Sequence, residues 1–208
     1  MGKTRILSVL ILILTATNRV HAEQAAPETN REYQIKAAFL YNFVKFTDWP
    51  GEPAADGSKP STIDSNEPMT IGIIGEDPFG NAFEPVKDKR VKGRKIVLKR
   101  FKGIEESKQS NEQIESVRKC HLLFICRSQK EHLGEIIDLV KDRPVLTVAD
   151  MSGFLESGGM INFIMEENKI RFEINLTAAR HAGLRISSKL LGLAKRVLRE
   201  EPFEGARK

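Results

Sequence analysis

Residues 69–89 read MTIGIIGEDPFGNAFEPVKDK, and the fold turns on how this stretch is parsed. Residues 69–74 are apolar apart from Thr70 and Gly72, as a short buried strand would be. Asp77 can cap a helix, and Pro78 suits the first helical position, so residues 79–89 are expected to be helical. The same alternation continues downstream. Residues 95–101 alternate apolar and basic side chains, as in a half-buried strand. Residues 111–119 read as helix and 122–125 as strand. Residues 130–141 read as an amphipathic helix that turns Leu133, Ile136, Ile137 and Val140 inward, and 144–148 as strand. This βαβα order predicts a mainly parallel sheet covered by helices on both faces.

The rhythm changes toward the end. Residues 160–165 and 169–176 form two strands joined by Glu166-Glu167-Asn168, a hairpin signal. Residues 177–182 make a short helical turn closed by Gly183. Ser187 or Ser188 then caps a last helix to about residue 200, with Leu190, Leu191, Ala194, Val197 and Leu198 inward. The expected class is a single compact three-layer α/β domain over residues 30–200, with a mainly parallel sheet flanked by helices and a C-terminal antiparallel hairpin.

Upstream, residues 30–48 are a helix with Asn30 as cap. Ile35, Phe39, Phe43 and Phe46 form one apolar stripe, and Tyr33, Ala37, Leu40 and Val44 a second. A helix apolar on two sides is either fully buried or shares one side with a partner. Phe39, Phe43 and Phe46 are therefore candidates for a dimer seam, against a role as plain core. Residues 51–68, rich in Gly, Pro, Ser and Asp, read as a mobile solvated loop. Residues 201–208 read as a frayed tail.

The first 22 residues have the pattern of a cleaved secretory signal. Lys3 and Arg5 precede an apolar run at 6–14, and Val20-His21-Ala22 offers a cleavage site after Ala22. The run is far shorter than the roughly 20 residues that span a bilayer, so no stable membrane insertion is expected. Residues 23–29 then form a disordered N-terminus. Export removes ATP and NADH from reach and lowers the case for phosphoryl or hydride transfer. Losing Lys3, Arg5 and Arg19 with the leader takes the net charge from +5 to +2, which leaves no electrostatic footprint for nucleic acid.

Cys120 and Cys126 bracket the strand at 122–125. An extended chain rises about 3.3 Å per residue, which sets their Cα atoms about 20 Å apart. A disulfide needs roughly 4.4–6.8 Å, so two free thiols are expected. His121, His132 and His181 show no zinc-site spacing, and neither a metal nor a cofactor is expected. Neighbours on a strand point to opposite faces, which separates Cys120 from His121 and weakens the case for nucleophilic catalysis. No Gly-x-Ser-x-Gly elbow occurs. Glu76 and Asp77, after the strand at 69–74, would repel a phosphate. No catalytic residues are assigned.

Arg171, Glu173 and Asn175 share one face of their strand, and Arg180 and Arg185 follow on the adjoining turn. This polar surface is either solvated or a site for an anionic ligand or a partner, since Arg is enriched in interface hot spots.

Several blocks together carry a family likeness: EYQIKAAFLYNF at 32–43 with FTDWP at 46–50, GEDPFG at 75–80, PVLTVAD at 144–150, GGMINF at 158–163, IRFEINL at 170–176, AAR at 178–180, AGL at 182–184 and SSKLL at 187–191. In this order and spacing the chain resembles the YfiR-like family of bacterial periplasmic proteins over most of residues 30–198. The resemblance implies a periplasmic regulator rather than an enzyme. It implies a partner in an inner-membrane receptor with a periplasmic domain, since YfiR represses the diguanylate cyclase YfiN by binding its periplasmic region, and this controls cyclic-di-GMP. It also implies a homodimer. YfiR has more cysteines and uses disulfides; with only Cys120 and Cys126 here, redox sensing does not carry over. A diguanylate cyclase or a sensor kinase is the expected partner. The alternative is a periplasmic small-ligand-binding protein without a fixed receptor.

Overall fold

The computed structural model describes residues 25–51, 67–104 and 110–199. The expected leader, most of the loop at 51–68 and the tail at 201–208 lie outside the described residues. In chain order the strands are β1 (Thr47–Asp48), β2 (Met69–Ile74), β3 (Arg90–Val91), β4 (Arg94–Phe101), β5 (Leu122–Ile125), β6 (Leu146–Ala149), β7 (Ile161–Glu166), β8 (Lys169–Asn175), β9 (Arg185–Ile186) and β10 (Arg196–Leu198). The α-helices are α1 (Ala25–Lys45), α2 (Asn111–Arg118), α3 (Leu133–Val140), α4 (Leu176–His181) and α5 (Ser188–Leu193).

One eight-stranded sheet runs in the order β10-β8-β7-β6-β5-β2-β4-β3, and β1 pairs with β9 in a small antiparallel sheet. Strands β4, β2, β5, β6 and β7 are parallel. β2, β5 and β6 are buried at every position, which is why their sequences are nearly unbroken apolar runs. β7 and β8 form the expected hairpin, with Glu167 at φ 49° and Asn168 at φ 58°. That pair of left-handed residues suits the strand twist in a two-residue turn. Lys92 (φ 51°) and Gly93 (φ 80°) make the same kind of turn between β3 and β4.

Four expected boundaries are corrected. α1 begins at Ala25, so Asn30 lies inside the helix rather than at its cap, and it stops at Lys45 because Thr47 and Asp48 are drawn into pairing with Ile186 and Arg185. Residues 79–89 are not an α-helix: Asp77 Oδ1 accepts from the Phe79 N–H at 2.7 Å, but only one 3₁₀ turn follows, at Glu84–Val86. Pro85 explains the break, because mid-helix it lacks an N–H and clashes with the preceding turn. Residues 130–141 divide into a 3₁₀ segment, Arg127–His132, and α3. The last helix ends at Leu193, and the chain then becomes strand β10, parallel to β8 with Arg196 opposite Glu173. Gly192 weakens the helix, while the open edge of β8 supplies backbone partners; the Lys195 N–H donates to Phe172 O at 2.8 Å.

Each face of the sheet has its own core. On one, α1 buries Ala37, Leu40, Phe43 and Val44 against Ile71, Phe124, Val148 and Phe163. Phe43 is fully enclosed, with ring centroids 5.5 Å from Phe163 and 5.0 Å from Phe172. On the other, α2 and α3 bury Val117, Leu133, Ile136 and Val140 against Ile74, Leu123, Ile125 and Ala149. Leu133, Ile136, Ile137 and Val140 are all inward, as their spacing predicts. Phe43→Ala should lower unfolding free energy by about 3–5 kcal/mol, the usual cost of emptying a buried phenylalanine site, read by urea denaturation.

Candidate functional site

The four parallel strands β4, β2, β5 and β6 end side by side, and their carboxyl ends form one polar edge. In open α/β sheets this is the edge where the connecting loops gather and ligands bind. Asp150 follows β6 directly, and its side chain is 3% exposed. Lys36, on α1, is equally buried and sets its Nζ 2.5 Å from Asp150 Oδ2. Glu32, one turn earlier, accepts from the same Nζ at 2.5 Å. The Tyr33 hydroxyl donates to Asp150 Oδ2 at 3.2 Å, and Lys36 Nζ lies 4.4 Å from the Tyr33 ring centroid. Burial, and then the Asp150 carboxylate, push the Tyr33 hydroxyl's pKa upward, so it stays a protonated donor.

Arg127 completes the group from the end of β5. Its Nε donates to Asp150 O at 2.9 Å and to Oδ1 at 3.2 Å, while its side chain remains 68% exposed. Asp150 therefore holds an outward guanidinium in a fixed orientation. Beside this group, at the ends of β2, β4 and β5, lies a cleft of about 420 Å³ lined by Glu76, Arg100, Lys102, Gly103, Ser128 and Gln129. Gly75 (φ +99°) turns the chain at its base, and its N–H donates to Phe101 O at 3.1 Å. A side chain there would meet both the left-handed backbone and Ser128 Oγ.

The five candidate residues from the polar strand face are placed as follows. Arg171, Glu173 and Asn175 share a face of β8, opposite the buried Phe172 and Ile174. Arg171 Nε lies 3.8 Å from Glu166 Oε2. Glu173 accepts from Arg196 Nε at 2.8 Å and Nη2 at 3.0 Å. Asn175 Oδ1 accepts from the Ala178 N–H and so caps α4, and its Nδ2 donates to Leu155 O at 3.1 Å. Arg180 is exposed in the last turn of α4. Arg185 stands apart on β9, 3.9 Å from Asp48. Of the candidate seam phenylalanines, Phe43 on α1 is core, while Phe39 on α1 and Phe46 just beyond it are half-buried.

Cys120 and Cys126 are free and buried. They lie on opposite faces of the sheet, Cys120 in the core under α2 and α3 and Cys126 in the core under α1. Burial pushes both thiols up to about 12, aided at Cys126 by Asp77, Asp150 and Glu76. His121 is occupied elsewhere: its Nδ1 accepts from the Thr70 N–H at 3.1 Å, and Trp49 packs edge-on to its ring. Among the described residues, no group of three or more His, Cys, Asp or Glu is arranged to hold a metal ion. No described helix is long and apolar enough to cross a membrane.

The sequence reading did not single out Lys36, Asp150, Arg127 or Gln129. The available signal was Lys36 set between two apolar stripes, and Asp150 closing an apolar strand.

These features define a three-layer α/β domain with a charged carboxyl edge. The family model described as YfiR/HmsC-like (DUF4154) matches residues 33–195, and the chain belongs to that family. A conserved domain protein from Vibrio cholerae O1 biovar El Tor superposes with a TM-score of 0.45 at 15% identity, over 62% of this chain and 54% of that one. The ABC domain from Streptococcus pneumoniae in complex with L-Trp gives 0.44 at 13% identity, over 62% and 55%. The chain thus spans about half the length of the solved structures it matches. A comparison with curated proteins gave no match.

Two outcomes follow from this geometry. Lys36→Met leaves Asp150 buried against Tyr33 and Arg127 alone and should cost about 3–5 kcal/mol; Lys36→Met with Asp150→Leu should recover part of that loss, read by urea denaturation. Neither cysteine should react with a thiol-specific disulfide reagent at pH 8 in the folded protein, and both should react in urea. Because the unfolded thiols ionise near pH 9 and the folded ones near 12, stability should fall as pH rises through that interval.

Proposed function

We propose that this protein is a periplasmic regulator of cyclic-di-GMP signalling that acts by contact. It binds the periplasmic region of an inner-membrane diguanylate cyclase or sensor kinase and represses or modulates it. Membership of the YfiR/HmsC-like family over residues 33–195 carries this reading. The leader at residues 1–22, cleaved after Ala22, delivers the chain to the periplasm. A regulator of this kind works by preferring one state of its receptor, and the size of that preference sets how far the receptor's equilibrium moves.

The contact surface in this proposal is the polar face of β8 with the turn beyond it: Arg171, Glu173 and Asn175, with Arg180 and Arg185. Two features support it. Glu173 is held by Arg196 and Asn175 by Ala178 and Leu155, so the face is rigid. Arg171 and Arg180 stay exposed beside it. Homodimerisation belongs to the same reading. Phe39 on α1 and Phe46 just after it keep partial exposure, and Ile35 on that stripe is 40% exposed, which offers an apolar seam.

Deleting the gene should raise cellular cyclic-di-GMP, and the wild-type gene should restore it. Arg171→Ala with Arg180→Ala should fail to restore it while unfolding free energy stays within about 0.5 kcal/mol of wild type, since both side chains are exposed. Full restoration by the double variant would remove this surface from the mechanism; unchanged cyclic-di-GMP on deletion would remove the regulatory reading itself.

A further inference from the structure

Gln129 sits at the kink of the 3₁₀ segment after β5, with φ −99° and ψ 15°, and is 4% exposed. Its Oε1 accepts from the Ile104 N–H at 2.8 Å. Only the oxygen can make that bond, so the bond fixes which end of the amide points where. Nε2 faces away from Ile104 and toward Gly103: a Cβ built on Gly103 would stand 2.2 Å from it. The amide occupies the space that any side chain at 103 would take. Among the described residues, no acceptor bonds this NH₂ group. Nε2 is not among the described side-chain atoms sealed from water without a partner, so it opens to the cleft and keeps its protons for an acceptor there.

The donor lines the cleft of about 420 Å³ at the ends of β2, β4 and β5, within the roughly 300–1,000 Å³ of small-molecule sites. Two more donors share it. Ser128 Oγ accepts from the Glu76 N–H at 3.0 Å, which leaves its own proton to give. Lys102, on the rim, is exposed. The opposite rim is acidic. Asp77 is already engaged by Arg100 Nε at 2.6 Å and by the Phe79 N–H. Among the described residues, nothing pairs with the exposed Glu76 carboxylate at the mouth. Amide, hydroxyl and ammonium together match a single carboxylate; Glu76 disfavours a dianion such as phosphate.

We infer that this cleft binds a small molecule through a carboxylate group, held by the fixed amide of Gln129, the hydroxyl of Ser128 and the ammonium of Lys102. Gly103 is the residue that lets the amide reach the cleft. The inference stands apart from the regulatory reading, because it concerns a pocket and no membrane partner.

The test uses the purified protein, labelled with ¹⁵N, titrated with acetate, N-acetylglycine, benzoate and succinate, with inorganic phosphate as the contrasting anion. At least one carboxylate should shift the Gln129 side-chain amide and the Gly103 backbone resonance saturably, while phosphate leaves both in place. Gln129→Leu should weaken that binding at least tenfold, and Lys102→Met should weaken it severalfold. Lys102 is exposed, so Lys102→Met retains the fold and carries the test even where Gln129→Leu does not fold. The inference is overturned if no carboxylate moves these resonances, if phosphate moves them equally, or if folded variants bind as the wild type does.

Discussion

Lys36 and Asp150 are 114 residues apart in the chain and 2.5 Å apart in the fold, with both side chains almost wholly withdrawn from water. Withdrawing either charge alone would cost several kcal/mol, so the two must be buried together or not at all. The hydrophobic attraction between α1 and the sheet has no such requirement: it is non-directional, and an apolar stripe can slide by a turn at modest cost. The ion pair removes that freedom. It admits α1 only in the register that brings Lys36 over the end of β6. The same register packs Tyr33 against Phe79, 5.1 Å between centroids, and Phe39 and Phe43 against Phe163 and Phe172.

The pair also divides the molecule into two ends of different character. At the carboxyl edge, charges and amides are organised around Asp150 and Gln129 and stand open to solvent through Arg127 and the cleft. At the opposite end, polar groups are spent on closure. Arg94, buried beside β2, donates to Glu67 O and Pro68 O, and Trp49 Nε1 donates to Pro144 O at 2.8 Å. One end staples chain segments together, and the other presents oriented donors.

The parallel sheet was legible because β2, β5 and β6 are buried on both faces, and such strands announce themselves as short apolar runs between turns. The hairpin was legible because Glu167 and Asn168 belong to a short polar turn between alternating strands. β10 was not. Val197 and Leu198 continue a helical spacing, and only the open edge of β8, remote in sequence, makes them a strand. Residues 79–89 show a local conflict: Asp77-Pro78 starts a helix that Pro85 forbids. The alternation of Arg171, Glu173 and Asn175 on one face was readable, but nothing local marks Arg196 as the partner of Glu173. Lys36 and Asp150 each carried a hint, yet pairing them needs the fold. Gln129 carried none, because its role comes from a glycine at 103 and an N–H at 104 on another strand's end.

Cys120 and Cys126 sit on opposite sides of one sheet, each sealed in a different core. The sheet itself is the barrier between them, so no local rearrangement joins the two sulfurs. Folding of this domain is therefore independent of disulfide-forming catalysts, and oxidants reach its two thiols only through molecules that have already opened. The domain thus carries two thiols that are protected by topology rather than by pairing.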